Sequence, residues 1–373
     1  MNLTTAGPSA LPLVVNYPDS VAFMYSGQPV TVRALSAVPA LQVTVTLMHD
    51  ASGASHTETR LFRGGRVDFD LGRTMQLLAP DVDEAFSNYD RSASGLAQAF
   101  TAFLSYTDTD GVSYPIATVS TLAMYGALDQ GEEYGAPEQK RLWVNFPQTF
   151  AIWRNFAGGA FGFNVNGTAV RPDSYEGAQM QEVNLQNVLK EEGEDALLAQ
   201  LTGAPSTVEL TWSLRIATSP AQVQNFRTLT LVPDARTRGT YLRWLNRRGE
   251  ISYWLFENSQ LRTATTVRNA FRRHYEGNLT DPSYGSLRNP QKADYREARE
   301  MTLGAVGVSR EEYDELCDLF VSPVIERLMP DGATWQRVNV AAGTYARSIK
   351  RDTPRLQDVE IVIELPERNT VKL

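Results

Sequence analysis

Cysteine and histidine are nearly absent from this sequence: Cys317 stands alone, and His49, His56 and His274 are the only imidazoles in 373 residues. One cysteine excludes an intramolecular disulfide framework and leaves no cysteine-based metal site. Such usage fits synthesis in a reducing cytoplasm. No stretch approaches the roughly 18 uninterrupted apolar residues of a membrane-spanning helix, and the residues from Met1 to Ser9 have neither a basic n-region nor a long apolar core. Neither membrane insertion nor export by a signal peptide is expected. Positive charge is also in deficit: a net charge of −8 argues against nucleic acid as a partner of the chain as a whole. A nucleophile elbow, a zinc-protease helix and a nucleotide-binding fingerprint are all missing. No catalytic residue, resident metal or cofactor is therefore assigned, and the chain is not expected to be an enzyme.

What is present is enough to fold. Hydrophobic residues make up 42% and charged residues 21%, ordinary values for globular proteins. At a typical ~150 residues per domain, the length suggests two or three domains, and three are expected. Residues 1–130 read as a β-sandwich. In Leu41–Leu47 and Arg66–Leu71 apolar and polar residues alternate, the period-two signature of a strand with one buried face. Asp50–Gly53, Arg63–Gly65 and Asp108–Gly111 supply glycine and short polar residues for tight turns. Glycine, proline and charge then replace the pattern at Asp129–Pro137, which marks a domain boundary.

Residues 138–262 read as an antiparallel β domain. Val208–Ile216 alternates strictly, and Tyr241–Phe256 forms a hairpin in which Asn246–Gly249 makes a type I turn with glycine in the left-handed position. Leucines and an acidic run between Val183 and Leu201 suggest an inserted short helix. The last region, 263–373, reads as an α+β segment: an extended basic arm, a helix and terminal strands. Ser309 and Glu312 are spaced as a capping box, so a helix should run to about Phe320 with Tyr313, Leu316, Leu319 and Phe320 on one face. Strands follow at Trp335–Val340 and Val359–Leu365, the latter stopped by Pro366. The fold class is mainly β.

Several constellations invite chemistry and have simpler explanations. His49 and His56 end and begin successive strands, but no third metal ligand accompanies them, and surface turn positions account for both. Asp108–Gly111 starts like a calcium loop and lacks its closing glutamate, so a hairpin turn is preferred. Gly158–Phe163 is glycine-rich without the lysine of a phosphate loop, and a bent strand explains it. The arm gathers Arg262, Arg268, Arg272, Arg273, Arg288 and Arg296 with Tyr275 and Tyr284. Guanidinium groups bind phosphate and aromatics stack bases, yet Asp281, Asp294, Glu297 and Glu300 dilute the charge, and arginine and tyrosine also enrich protein interfaces. A subunit interface is the preferred reading. Tyr241, Trp244, Tyr253 and Trp254 on the hairpin form a candidate aromatic contact surface, which leaves a host-surface glycan as an alternative ligand.

Gly239–Phe256, together with Trp335–Val340 and the closing Leu356–Glu367, resembles proteins encoded in the tail modules of tailed bacteriophages and prophages of gut anaerobes. The similarity covers roughly the last 140 residues and supplies no catalytic residue. It implies a virion structural role in the distal tail or baseplate, with copies of the chain in a ring and neighbouring phage tail proteins as partners. It also implies manufacture in the bacterial host cytoplasm. A ring needs heterologous contacts, which an arm could supply on assembly. A carbohydrate-binding host-attachment module is the alternative.

Overall fold

The computed structural model describes residues 2–4, 13–16, 21–24, 29–34, 40–82, 96–127, 138–153, 160–165, 168–170, 180–184, 208–215, 223–271, 291–341 and 357–369. Of the segment from Val183 to Leu201 expected to hold a short helix, only Val183 and Asn184 are described, and they lie in a strand; the rest, with Gly158 and Gly159, lies outside the described residues. The chain is mainly β and divides into two compact units. The first comprises Met1–Arg236, Leu245–Ser252 and Ser322–Val324, and the second Thr237–Trp244, Tyr253–Val321 and Ile325–Leu373.

In chain order the first part supplies β1 (Asn2–Thr4), β2 (Leu13–Asn16), β3 (Val21–Phe23), β4 (Pro29–Ala34), β5 (Ala40–His49), β6 (Ser55–Leu61) and β7 (Arg66–Asp70). Helix α1 (Leu71–Leu78), β8 (Ala97–Asp108) and β9 (Ser113–Met124) follow. They make the two sheets of a sandwich, β1-β2-β4-β7 and β3-β9-β8-β5-β6. The alternation read from the sequence is the observed one: Val43, Val45 and Leu47 are buried and the threonines between them face outward. Val30, Val32, Val67 and Phe69 are the buried positions of the other sheet. The β6–β7 turn has φ +62° at Gly64 and +75° at Gly65, the pair of left-handed residues a type I′ hairpin requires. Helix α1 was not anticipated. Asp70 caps it by accepting from the Gly72 N–H at 3.1 Å, and it lies against β4, β5 and β6 with Leu71 and Met75 buried.

The next strands are β10 (Glu138–Trp143), β11 (Thr149–Trp153), β12 (Ala160–Val165), β13 (Thr168–Val170), β14 (Met180–Asn184), β15 (Val208–Arg215) and β16 (Val223–Asp234). They form the sheet β10-β16-β15-β12-β13 and the pair β11-β14. The central region is not wholly antiparallel, because β10 runs parallel to β16 from Glu138↔Leu229 to Trp143↔Asp234. Among the described residues, strands β9 (ending at Met124) and β10 (starting at Glu138) lie on either side of Asp129–Pro137. Both strands belong to the first unit, so the division near residue 130 is internal to it.

β17 (Thr240–Leu245) and β18 (Ile251–Phe256) are the expected hairpin, followed by β19 (Asn258–Phe271) and β20 (Gln291–Val308). Helix α2 (Arg310–Cys317) leads through a 3-10 turn, Asp318–Phe320, to β21 (Ile325–Leu328), β22 (Trp335–Arg337), β23 (Asn339–Val340) and β24 (Gln357–Asn369). The capping box is made: Ser309 Oγ accepts from the Glu312 N–H at 3.3 Å, and Glu312 Oε2 accepts from the Ser309 N–H at 2.9 Å. Leu316 and Leu319 are buried, whereas Tyr313 and Phe320 are half-buried. The sheets are β18-β17-β21-β22 and β19-β20-β24-β23. The hairpin thus pairs with the chain's C-terminal third instead of with the central strands. Strand β24 also runs through Pro366, because a bulge sets Pro366 and Glu367 opposite Ala298 and spares the proline a ladder bond.

Candidate functional site

The aromatic hairpin is built by its turn. Gly249 has φ +73° and donates to the Asn246 carbonyl at 3.0 Å, while Asn246 Oδ1 accepts from the N–H groups of Arg248 and Glu250 at 2.9 and 3.1 Å. The left-handed glycine closes the loop, and the asparagine side chain satisfies donors the turn would otherwise strand. The strands that follow are not a surface. Tyr241, Trp244, Tyr253 and Trp254 are exposed by 1%, 0%, 8% and 4%, so the expected contact face is interior. Both strands are nearly continuous apolar runs, interrupted by Arg243 and Ser252, and such runs are covered on both sides.

Within the second unit Tyr241 and Tyr253 stack, and Trp335 lies tilted against both with charge beside it. The Tyr241 and Tyr253 centroids are 5.9 Å apart, and Trp335 lies 6.0 Å from the first and 6.5 Å from the second. Burial, and then the neighbouring Tyr253, pushes the Tyr241 phenol well above its ordinary range. Arg243, nearly fully buried, places its guanidinium 4.2 Å from the Trp335 centroid and 2.7 Å from Glu326 Oε2. The register Arg243↔Glu326 between β17 and β21 brings the two charges together. A buried guanidinium with both a carboxylate and an aromatic face is fully engaged, so the cluster is structural.

Over the described residues the basic arm is a pair of long strands, β19 at the edge of the sheet β19-β20-β24-β23 and β20 beside it. β19 and β20 pair antiparallel from Asn258↔Gly304 to Phe271↔Gln291, with irregularities around Asn269. Arg262 is exposed, and Arg268 and Arg296 lie on the two strands. Arg272, Arg273, Tyr275, Tyr284 and Arg288 lie outside the described residues. The seven strand positions from Asn258 to Ala264 are all exposed, so this part of β19 has both faces open.

His49 is buried, not a surface turn residue: Nδ1 lies 2.8 Å from Ser52 Oγ, and Nε2 lies 2.8 Å from Gln98 Oε1. His56 pairs with Leu47 instead of with His49 and is exposed. Asp108 Oδ1 accepts from the N–H groups of Asp110 and Val112, both at 2.9 Å, which ties the carboxylate into the hairpin turn. Among the described residues no group of three or more His, Cys, Asp or Glu is placed to hold a metal. Nor is any helix among them long and apolar enough to cross a membrane. An open recess of about 580 Å³ lies on the sheet of β19, β20 and β24, lined in part by Glu257, Asn258, Gly304, Asp358 and Glu360. Gly304, opposite both Asn258 and Glu360, leaves its floor low.

The described geometry defines a mainly β protein of several sheets whose most concentrated polar and aromatic groups serve packing. No protein-family model matches the chain, and no curated protein matches it. Solved structures similar to it include the fibronectin(III)-like modules of Clostridium thermocellum CbhA, at 8% identity and a TM-score of 0.19, over 60% of this chain and 94% of that one. A cycloalternan-degrading enzyme from Trueperella pyogenes is another, at 10% identity and a TM-score of 0.20, over 98% of this chain and 32% of that one. At such TM-scores neither likeness transfers an architecture or an activity.

Proposed function

We propose that the protein is a structural component of a tailed-phage virion, a distal-tail or baseplate ring or adaptor protein that works through subunit interfaces. The observation that carries this reading is the β19–β20 pair. Its outer strand is exposed on both faces from Asn258 to Ala264 and forms the edge of its sheet. An open strand edge is a template for pairing with another chain, and a long one is retained where a partner occupies it. The arginines and tyrosines expected at the interface belong to the same pair of strands or to the segment joining them. On this reading the chain is made in the host cytoplasm, and its partners are further copies of itself and adjoining tail proteins.

Cryo-electron microscopy of purified particles tests it. Density for this chain in a ring between the tail tube and the host-recognition parts is the expected result. Particles with no density that accommodates the chain would overturn it. The carbohydrate-binding alternative relied on Trp244 and Trp254 as a platform, and with both rings buried it has no observation in its favour.

A further inference from the structure

We propose that the outer face of the sheet β6-β5-β8-β9 is a docking surface, and that its occupant is the same face of a second copy of this chain. This names a contact surface for the assembly component proposed above and rests on that reading. The face is defined by register. Outward positions run from 42 to 48 on β5, 55 to 61 on β6, 101 to 107 on β8 and 113 to 120 on β9, four per strand. All sixteen are exposed or half-exposed. None carries a charge, and eleven are serine or threonine. On an ordinary protein surface about 25–35% of residues are charged, so four or five charges are expected among sixteen positions. Their absence is shared with interface centres, which are depleted in charge.

The hydroxyls are already engaged sideways. Thr44 and Thr59, and Thr46 and Thr57, are each 2.9 Å apart between hydroxyl oxygens; Thr107 and Ser113 are 3.0 Å apart, and Thr101 and Ser120 3.3 Å. Hydroxyls that bond one another lose little when water is removed, and their methyl groups are left to meet a partner. Phe103, 43% exposed, stands inside this grid and not at its rim, and Leu61, 51% exposed, adds apolar area at a corner.

The occupant follows from the same chemistry. A charged partner would lose hydration here and find no counter-charge, so the matching surface must itself be neutral. The second copy supplies one, related by a two-fold axis that lets each residue meet its counterpart's neighbours. At about 4.8 Å between strands and ~6.7 Å between successive outward positions, the footprint is about 500 Å² per copy. Twice that is about the smallest total area of a specific interface, so the contact is weak alone and effective where other contacts hold the copies together.

Sedimentation of the purified chain over a concentration series tests this, with Phe103→Glu and Phe103→Lys prepared alongside and their folding checked by circular dichroism. The wild type is expected to dimerise with rising concentration. Each variant alone is expected to self-associate at least tenfold more weakly, because like charges then meet near the axis. An equimolar mixture of the two is expected to regain association. A wild type that oligomerises while Phe103→Glu leaves it unchanged would overturn this face and leave the assembly reading standing. A wild type monomeric at every concentration would overturn this contact, and absence of the chain from particles would separately overturn the assembly reading.

Discussion

Arg243 lies over Trp335, its guanidinium carbon 4.2 Å from the ring centroid, and the same group holds Glu326 at 2.7 Å. Two strands distant in sequence, β17 and β21, are joined by this arrangement, and each replacement of a member has a distinct outcome. Glu326→Ala leaves an uncompensated cation in a nearly closed site and should destabilise the protein by about 3 kcal/mol. Replacing both charges, Arg243→Met with Glu326→Leu, should cost under about 1.5 kcal/mol, since an apolar pair fills the space without desolvated charge. Urea unfolding of the two variants checks the contrast.

Trp244→Ala should cost about 3–5 kcal/mol, as expected for a large ring removed from a closed core. Thermal unfolding followed by circular dichroism reads the loss. A variant that unfolds like the wild type would show that this ring does not pack as described.

Gly126 and Gly53 should respond differently to alanine. A Cβ on Gly126 would fall 2.5 Å from the Arg247 carbonyl oxygen and 2.8 Å from the Gly249 nitrogen, and the adjoining Ala127 N–H donates to that same carbonyl at 2.7 Å. Backbone cannot step aside there, so Gly126→Ala should cost about 3 kcal/mol. Gly53 has φ +69° and open space around it, so Gly53→Ala should cost only the left-handed strain, about 1 kcal/mol. Denaturant midpoints of both variants test the order.

Asp234 gives the fold an acid-sensitive point. Burial raises its pKa, but the Arg236 side-chain and backbone hydrogen bonds, and then the charges of Arg236 and Arg141, outweigh that and hold the carboxyl below its usual range. A depressed carboxylate contributes stability that is present above the unfolded value, about 3.9, and is lost as pH falls through the folded value. Unfolding free energies between pH 6 and 2 should therefore fall more steeply in the wild type than in Asp234→Asn.

Ser309→Ala removes one half of the capping box and should destabilise the protein by about 1 kcal/mol. Loss of α2 end protection in hydrogen exchange, centred on Glu312, would accompany it.

Strand positions were legible wherever one face was buried. Val43, Val45 and Leu47 announced a register that the structure keeps, and Ser309 with Glu312 announced a helix start to the residue. Partners were less legible, because alternation names a buried face without naming what covers it. The hairpin shows the difference. Thr240–Leu245 and Ile251–Phe256 are nearly continuous apolar runs, the pattern of a strand covered twice, but the tyrosines and tryptophans in them suggested a contact surface, and Arg243 inside the first run has its partner elsewhere. Its counter-ion, Glu326, lies 83 residues away and only register brings it near. The hydroxyl face was hidden for another reason: in Leu41–Leu47 the apolar letters carried the strand reading, and the threonines between them passed as ordinary polar filler.

The division of the chain bears on the order in which the molecule can be made. The first unit is not complete at Arg236, because it also takes Leu245–Ser252 and Ser322–Val324. A ribosome that has released the first 236 residues has therefore not yet delivered all of that unit, and its closure waits for Ser322–Val324, which are synthesised after β17, β18, β19 and β20. No single cut separates the two, and expressing either by truncation would deprive one unit of its own residues.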